Sequence, residues 1–350
     1  MPLRLPEPFL AVLLMSSIGC SGGEKDSAAD TDTDTDTDTD ADTDTDTDTD
    51  TDADTDAPLD PPEGDPATIE LAGGCPMESD LGGFVVEAYE DYSIVDGSVA
   101  DGVVPITVLE LKTSEGDCQV LRRNNPYCKP LCEAGFTCDF NGDCIPYPED
   151  QDLGTVSVAG LLEDVVMEPL QPGFTYFDTS LPNPAFLPGD LIELRMPDGV
   201  YGPVTLHGVG IDELVSLDKD GWVLVDGVDM TVHWQPPDAE VSRGVVDLSV
   251  NIDQHGNSPA TVVCTFEDDG EGTVPGAVIS ALFDLGVSGF PSGTLSRRTA
   301  DKTDITGGCM DFWVASPRTV SVDVDGYTPC FSDKDCPKGQ ECNLELQICE

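Results

Sequence analysis

The chain has 350 residues and a formal net charge of −54. One low-complexity tract, residues 30–56, holds 14 of its 69 acidic side chains, and the other 55 against 15 basic ones still give −40. A basic patch for DNA, RNA or an anionic membrane surface is therefore not expected. Thirteen Cys in a chain with few basic residues indicate an oxidising, exported setting.

Residues 1–20 have the pattern of a signal peptide. One basic residue, Arg4, precedes an apolar run at residues 9–15 that is too short to span a bilayer and ends in small residues before Cys20. A Cys directly after a small residue resembles the lipobox of bacterial lipoproteins, although Ser17 stands where Leu is usual. The resemblance implies that Cys20 is the lipidated N-terminus of the mature protein. Ser21 follows it in place of Asp, which resembles lipoproteins that are sent to the outer membrane. An ordinary secretory cleavage site is the alternative.

Residues 21–66 are predicted to be a disordered acidic linker. In the tract at 30–56, every second residue is Asp, the others are Thr or Ala, and no base pairs with any of them. With no side chain larger than Thr to bury, nothing offsets the entropy lost on ordering. We interpret the linker as a solvated stalk. A loose cation-binding tail is the alternative, but the Gly and closing Glu of an EF-hand loop are absent.

Removing Cys20 leaves twelve Cys, and eight of these form two short groups that both contain the spacing C-x-x-G-x-x-C. The groups are Cys128, Cys132, Cys138 and Cys144, and then Cys330, Cys336, Cys342 and Cys349. Disulfides that close loops of about ten residues, worth about 3 kcal/mol each, would stabilise such small modules. Zinc is the rival, but close C-x-x-C pairs are missing. The groups resemble short EGF-like or Dickkopf-like repeats of myxobacterial-type exported lipoproteins, and we assign modules to residues 124–148 and 326–350.

The remaining four Cys lie in or beside strand-like runs of the body. We predict that Cys75 pairs with Cys118 and that Cys264 pairs with Cys309. These bonds would join elements of a sheet.

The body, residues 67–325, is predicted to be mainly β, an antiparallel sandwich or barrel. Apolar residues alternate with polar ones over residues 246–253, the period of a strand with one face in water. Many short strands with Gly and Pro turns favour this fold class. Further strands are expected at 83–89, 106–111, 154–159, 190–196, 262–266, 311–315 and 319–324.

Two local motifs add detail to this fold. Residues 222–225 and 228–234 flank Asp226-Gly227 and predict a hairpin with a tight turn. One short helix is expected, with Thr273 as its cap, Pro275 in its first turn and Gly286 near its end.

Four Asp residues are candidate calcium ligands. Asp218 and Asp220 lie in one short acidic turn, and Asp268 and Asp269 lie in the patch of residues 267–271. Carboxylate oxygens suit Ca²⁺, and the second patch could also supply a carboxylate pair. A solvated turn is the plainer interpretation of both. No other cofactor is expected.

Aromatic and histidine residues offer few further candidates. Trp222 and Trp313 could form an aromatic surface for a glycan, whereas Trp234 is in the apolar phase of its strand and is predicted to be core. None of the three His occurs in a hydrolase or metalloprotease motif, and His233 is predicted to be an exposed strand residue. Arg297 and its neighbour Arg298 are expected to pair with carboxylates.

The stretches at 82–105 and 262–283 look like an uncharacterised family of myxobacterial-type surface lipoproteins. The leading hypothesis is a lipid-anchored protein of the cell envelope, in which an acidic stalk carries a non-catalytic β domain that makes structural or adhesive contacts. Binding to nucleic acid is not expected. Its partners would be the membrane, through the anchor, and a protein or glycan ligand. The alternatives are an exported hydrolase and a Ca²⁺-dependent glycan-binding module. The sequence leaves the oligomeric state open.

Overall fold

A computed structural model of the protein describes residues 59–238, 243–252 and 259–350. The leader, Cys20 and the Asp-rich tract lie outside the described residues. All described residues belong to one compact unit. Among them, no helix has the length and apolar character that a membrane crossing requires.

The described elements are mostly strands. In chain order they are β1 (Asp80–Ala88), β2 (Ser93–Val99), a 3-10 turn (Pro105–Thr107), β3 (Leu109–Glu115), β4 (Cys118–Arg123), β5 (Phe136–Cys138), β6 (Cys144–Pro146), β7 (Val156–Ala159), β8 (Val165–Met167), β9 (Tyr176–Asp178), β10 (Leu191–Met196), β11 (Val204–Val209), β12 (Trp222–Leu224), β13 (Met230–His233), β14 (Val245–Asn251), β15 (Ala260–Glu267), β16 (Glu271–Val274), α1 (Gly276–Phe283), β17 (Ser292–Ile305), β18 (Gly308–Val324), β19 (Cys342–Asn343) and β20 (Ile348–Cys349).

Ten of these strands form one mixed sheet in the order β3-β4-β15-β14-β17-β18-β1-β2-β9, with β12 beside the far end of β18. Most neighbours are antiparallel, but β18 pairs in parallel with both β1 and β12. A second sheet has the order β11-β10-β7-β8, and three pairs of strands complete the described structure. The predicted mainly β fold with two small disulfide-rich modules is confirmed, with a large sheet that is mixed.

Two large hydrophobic cores hold these layers together. In one, Phe84 and Phe312 of the large sheet pack with Ile192 and Leu194 of the second sheet, so this part is a sandwich. In the other, the far half of the large sheet packs on α1, where Ile279 is fully buried. Burial of such apolar side chains is the main stabilising contribution to folds of this kind.

The strand β14 agrees with the predicted alternation, because Val246, Leu248 and Val250 are buried and the residues between them are partly exposed. The strand β17 was not predicted at all. The two strands predicted at 311–315 and 319–324 are one continuous strand, β18.

The predicted hairpin at 222–234 is wrong. Strand β12 pairs with β18, and β13 pairs with β16, so the two predicted partners do not pair with each other. Gly227 does adopt the positive φ, 71°, that a tight turn requires, but this turn joins strands with different partners. The local signal located the turn, and long-range pairing decided the partners.

The helix α1 begins later than predicted. Thr273 is not its cap, because it lies in β16 opposite Thr231. The first N–H of the helix, on Gly276, donates to the carboxylate of Asp229 at 2.7 Å. Asp229, which is distant in sequence, therefore accepts the hydrogen bond that a capping side chain next to the helix would usually accept.

Within the described residues, twelve Cys form six disulfides. They are Cys75–Cys309, Cys118–Cys264, Cys128–Cys138, Cys132–Cys144, Cys330–Cys342 and Cys336–Cys349. This number of disulfides indicates an oxidising, extracytoplasmic location.

Both predicted pairs of body Cys are wrong. Cys118 of β4 lies directly opposite Cys264 of β15, so these two are bonded. Cys309, at the start of β18, lies opposite Asp80, which brings it close to Cys75. The pairs follow strand neighbours in the sheet, whereas the prediction followed proximity in sequence.

The folded region begins before the predicted boundary at residue 67. Arg195 donates to the carbonyls of Asp60 and Pro61 at 2.6 and 3.0 Å, and the Glu63 N–H donates to Glu193 at 3.1 Å. Residues 60–63 therefore contact β10, and Pro66 accepts a hydrogen bond from Arg243 at 2.6 Å.

Candidate functional site

A cleft of about 390 Å³ lies where the end of β1 meets three other segments of the chain. Those segments are the loop between β9 and β10, the residues after β11 and the middle of β18. The lining residues are Ala88, Tyr89, Glu90, Asn183, Pro184, Phe186, Pro188, Ile211, Asp212, Glu213, Ser316 and Arg318. A concave site with apolar walls and a few polar groups is the usual form of a binding site.

One side of the cleft is the tight turn between β1 and β2. The Tyr89 N–H donates to the Tyr92 carbonyl at 2.8 Å, which closes the turn. The two rings stack with centroids 4.6 Å apart and planes 14° apart. Because Tyr92 is 51% exposed, this pair presents an aromatic surface at the edge of the cleft.

Asn183 attaches the loop after β9 to this turn. Its side-chain N–H groups donate to the carbonyls of Tyr89 and Glu90 at 3.3 and 3.0 Å. Its side-chain oxygen accepts a hydrogen bond from the buried Ser93 hydroxyl at 2.7 Å. One Asn side chain thus fixes the spacing between two walls of the cleft.

Arg318 lies at the base of the cleft. It donates to the carbonyls of Ala88 and Pro317 at 3.1 and 2.6 Å and to the carboxylate of Glu213 at 2.7 Å. Ser316 beside it is fully buried, accepts the Leu214 N–H at 3.1 Å and donates to Ala88 at 3.3 Å. The Arg318 guanidinium and the Ser316 hydroxyl therefore already donate to acceptors within the protein.

Burial and negative charge affect the titration of groups beside the cleft. Burial raises the pKa of Glu87, with a smaller contribution from the charge of Asp96, while a hydrogen bond from Tyr89 opposes the shift. Burial, together with the Glu87 carboxylate, also raises the pKa of the Tyr89 hydroxyl. Burial likewise raises the pKa of Asp96. These shifts describe a partly desolvated region of negative potential behind the turn.

The described lining has two hydroxyl-bearing side chains. Ser316 is buried and hydrogen bonded, and the Tyr89 hydroxyl donates to the Glu87 carboxylate at 2.7 Å. A Ser nucleophile needs an adjacent base within hydrogen-bond reach.

The calcium interpretation of Asp218 and Asp220 is not supported by the geometry. One oxygen of Asp218 accepts hydrogen bonds from the Trp222 indole at 3.1 Å and the His233 N–H at 2.8 Å, and the other contacts the His233 ring at 3.0 Å. Asp220 is exposed. Among the described residues, no cluster with metal-ligand spacing includes either of them.

The second calcium candidate is corrected in the same way. Asp268 forms a buried ion pair with Arg297 at 2.6 Å and accepts a hydrogen bond from the Trp234 indole at 2.8 Å. Its side chain is only 2% exposed. Asp269 is exposed and, within the described part of the chain, belongs to no metal-ligand cluster. Asp268 therefore has a structural partner in place of an ion.

The predicted glycan surface is also corrected, because Trp222 and Trp313 are 3% and 2% exposed. Trp222 packs in the core beneath Gly293 of β17. The Arg298 guanidinium lies 4.1 Å from the centre of the Trp313 ring, a cation–π contact. Neither ring is available to a sugar. Trp234 is fully buried, as predicted.

The three His are placed as follows. His233 is exposed on β13, as predicted, beside Asp218. His207 lies between two carboxylates, 3.3 Å from Glu193 and 3.9 Å from Asp301. His255 lies outside the described residues. None of the described His lines the cleft.

Local sequence patterns do not predict the cleft. Its residues come from four segments that are distant in sequence, and only the turn after β1 carries a local signal. Tyr89 and Tyr92 are interleaved with Glu90 and an Asp at a strand end, an exposed aromatic and acidic turn.

No protein-family model and no curated protein matches the chain. One solved structure with some similarity is the crystal structure of the chicken CNTN1 FN1-FN3 domains, at 9% sequence identity and a TM-score of 0.18. The match covers 62% of this chain and 66% of that one, slightly less than two thirds of its length. A similarity of this size supports no inference about ligand, partner or activity.

Proposed function

We propose that this is an exported, lipid-anchored protein of the cell envelope, of the outer-membrane lipoprotein type, that presents a non-catalytic β domain for adhesive or structural contact. The observation that carries the proposal is the order of parts along the chain. A leader ending in Cys20 precedes an acidic tract at 30–56, and a body with six disulfides follows.

The attachment of residues 60–75 supports a tethered arrangement. Arg243 donates to the carbonyls of Pro66 and Ile69, and Lys302 donates to the Gly74 carbonyl at 2.8 Å. The Cys75–Cys309 disulfide then joins this segment to β18 covalently. Force applied through the stalk would therefore act on a covalent bond to β18 before it acted on the hydrophobic cores.

Membrane fractionation of wild type and Cys20→Ala in a diderm bacterial host tests the anchor. We expect the wild type in the outer-membrane fraction and the variant in the soluble periplasmic fraction. Ser27→Ala, a change in the linker, is the matched control and should fractionate like wild type. Identical partitioning of wild type and Cys20→Ala would reject the lipid anchor.

Cell adhesion tests the contact function. Cells that express the full chain are compared with cells that express only residues 1–66, which carry the same leader and tract. We expect greater attachment to protein-coated or glycan-coated surfaces, or to other cells, with the full chain. Equal attachment in every assay would reject an adhesive role for the β domain.

A further inference from the structure

We propose that the cleft at the end of β1 binds the side chain of a Lys or Arg residue of a partner protein. The proposal rests on the contact function proposed above and specifies the chemistry of that contact. Its three supports are the charge of the lining, the aromatic and apolar walls, and the size of the cleft.

The charge balance of the lining favours a cation. The lining includes three acidic residues, Glu90, Asp212 and Glu213, and one basic residue, Arg318. Glu213 is paired with Arg318 at 2.7 Å, and Asp212 accepts the Asp238 N–H at 3.0 Å. Glu90 is exposed, and no described residue donates a hydrogen bond to its carboxylate in the structure. Glu90 can therefore receive an ammonium or guanidinium group from outside.

The same balance disfavours an anion. Arg318 is the one cationic side chain of the described lining, and two carbonyls and Glu213 already accept its hydrogen bonds. An anionic ligand would have to displace these contacts and lie close to three carboxylates.

The walls suit the rest of such a side chain. The exposed apolar surface of the lining comes from Pro184 and Pro188, while Phe186 and Ile211 beneath are buried. Long cationic side chains place their methylene stems on apolar surface while the charged end contacts polar groups. Tyr89 of the lining, whose ring stacks on that of Tyr92 outside it, adds an aromatic group, and aromatic faces attract Lys and Arg cations.

The size of the cleft fits one side chain with part of its backbone. A volume of about 390 Å³ is near the lower limit for small-molecule sites. The acidic character of the whole chain adds a long-range attraction for basic partners.

Isothermal titration of the full, disulfide-bonded chain tests the charge requirement. The probes are Nα-acetyl-arginine amide and its neutral isostere Nα-acetyl-citrulline amide. We expect the arginine derivative to bind at least about tenfold more tightly. Equal affinities would overturn the proposal.

Paired variants locate the binding. Glu90→Gln and Glu115→Gln each remove one exposed carboxylate, so both change the net charge equally, but Glu115 lies at the end of β3, outside the lining of the cleft. We expect Glu90→Gln to weaken arginine binding about fivefold or more and Glu115→Gln to leave it unchanged. Equal effects would indicate diffuse attraction to an acidic surface and would overturn the proposal.

A third comparison separates a partner side chain from a free small cation. The blocked peptide Gly-Arg-Gly should bind more tightly than propylguanidinium, because the edge of the cleft can also contact peptide backbone. Equal affinities would reject a protein side chain as the ligand. If Glu90→Gln retains arginine binding while the full chain still mediates adhesion, the cleft proposal fails and the contact function stands.

Discussion

Arg297 is a buried cation in an acidic protein, and its contacts define a polar centre within the β body. It is 1% exposed and donates to Asp268, to the Gln235 carbonyl at 2.7 Å and to the carbonyls of Asp212 and Glu213. Burying a guanidinium is costly unless its N–H groups all have hydrogen-bond acceptors and its charge is paired. These hydrogen bonds join β17 to three loops. They also hold the backbone of Asp212 and Glu213, two residues that line the cleft.

Replacing Arg297 with Met should destabilise the protein by about 3–5 kcal/mol, because it leaves the buried carboxylate of Asp268 without its partner. Urea unfolding measured by Trp fluorescence provides the test. Lys112→Met removes one positive charge from the partly exposed Lys112–Glu110 pair and should cost less than about 1 kcal/mol. Similar losses in the two variants would contradict this role for Arg297.

Asp311 should make stability depend on pH. Burial, with a smaller contribution from Asp80, raises its pKa from 3.8 to about 7, although the Cys75 N–H donates to it at 2.9 Å. The folded state therefore retains this proton at pH values where the unfolded state has released it. The contribution of Asp311 to stability is greatest at low pH and falls as pH rises towards 7.

The free energy of unfolding of Asp311→Asn, relative to that of wild type, should therefore increase by about 2 kcal/mol as the pH rises from 5 to 8. Urea unfolding at the two pH values measures this difference. Asp323→Asn, at an exposed position of the same strand, should show the same difference from wild type at both pH values. A pH-independent effect of Asp311→Asn would show that Asp311 does not titrate in this range.

Single residues differ in how far their neighbours in sequence determine their surroundings. The alternation that predicted an exposed His233 and a buried Trp234 was sufficient, because strand periodicity is a local property. The roles predicted for Asp268 and Trp222 were wrong. Their partners, Arg297 and Gly293, both lie on a strand that the sequence did not reveal.

At the scale of elements, β17 and β18 show why prediction failed in the centre of the sheet. Strand β17 buries Arg297, Arg298 and Asp301, which lie on both of its faces, so its buried positions lack the apolar alternation that predicts strands. Strand β18 contains Pro317, which usually interrupts a central strand. Here Pro317 falls between the part paired with β1 and the part paired with β12, so neither parallel pairing needs its missing N–H.

The attachment of residues 60–75 should depend on the Cys75–Cys309 disulfide. This bond links residues 234 apart in sequence, and loops of that length are worth about 5 kcal/mol in the chain-entropy account. Replacing both Cys by Ala should lower the melting temperature and increase cleavage by a Glu-specific protease at Glu63 and Glu70. Protease sites in this segment that remain protected would show that its polar contacts are sufficient.

Loss of a module disulfide is the matched control. Cys336 and Cys349 are only 13 residues apart and lie in the C-terminal module. Their replacement by Ala should leave protection at Glu63 and Glu70 unchanged and have a smaller effect on the main unfolding transition. An equal effect of both double variants would indicate a general loss of folding rather than release of residues 60–75.

The whole molecule combines a sandwich half and a helix-backed half around one sheet, and the cleft lies where the sheet, a tight turn and two loops meet. Composition and periodicity were sufficient for the fold class, since both depend on residues close in sequence. The cleft, the disulfide pairs and the buried ion pairs depend on contacts between residues far apart in the chain. Patterns of neighbouring residues do not encode those contacts.

The acidity of the chain should make its stability depend strongly on salt. At a net charge of −54, repulsion between carboxylates opposes the compact state. Raising NaCl from about 10 mM to about 300 mM shortens the screening length several-fold, so the urea midpoint at neutral pH should rise. Deleting residues 30–56 removes 14 of the carboxylates but leaves a formal charge of −40. Most of the salt effect should therefore persist in the deletion variant, and its disappearance would assign the repulsion to the tract instead of the body.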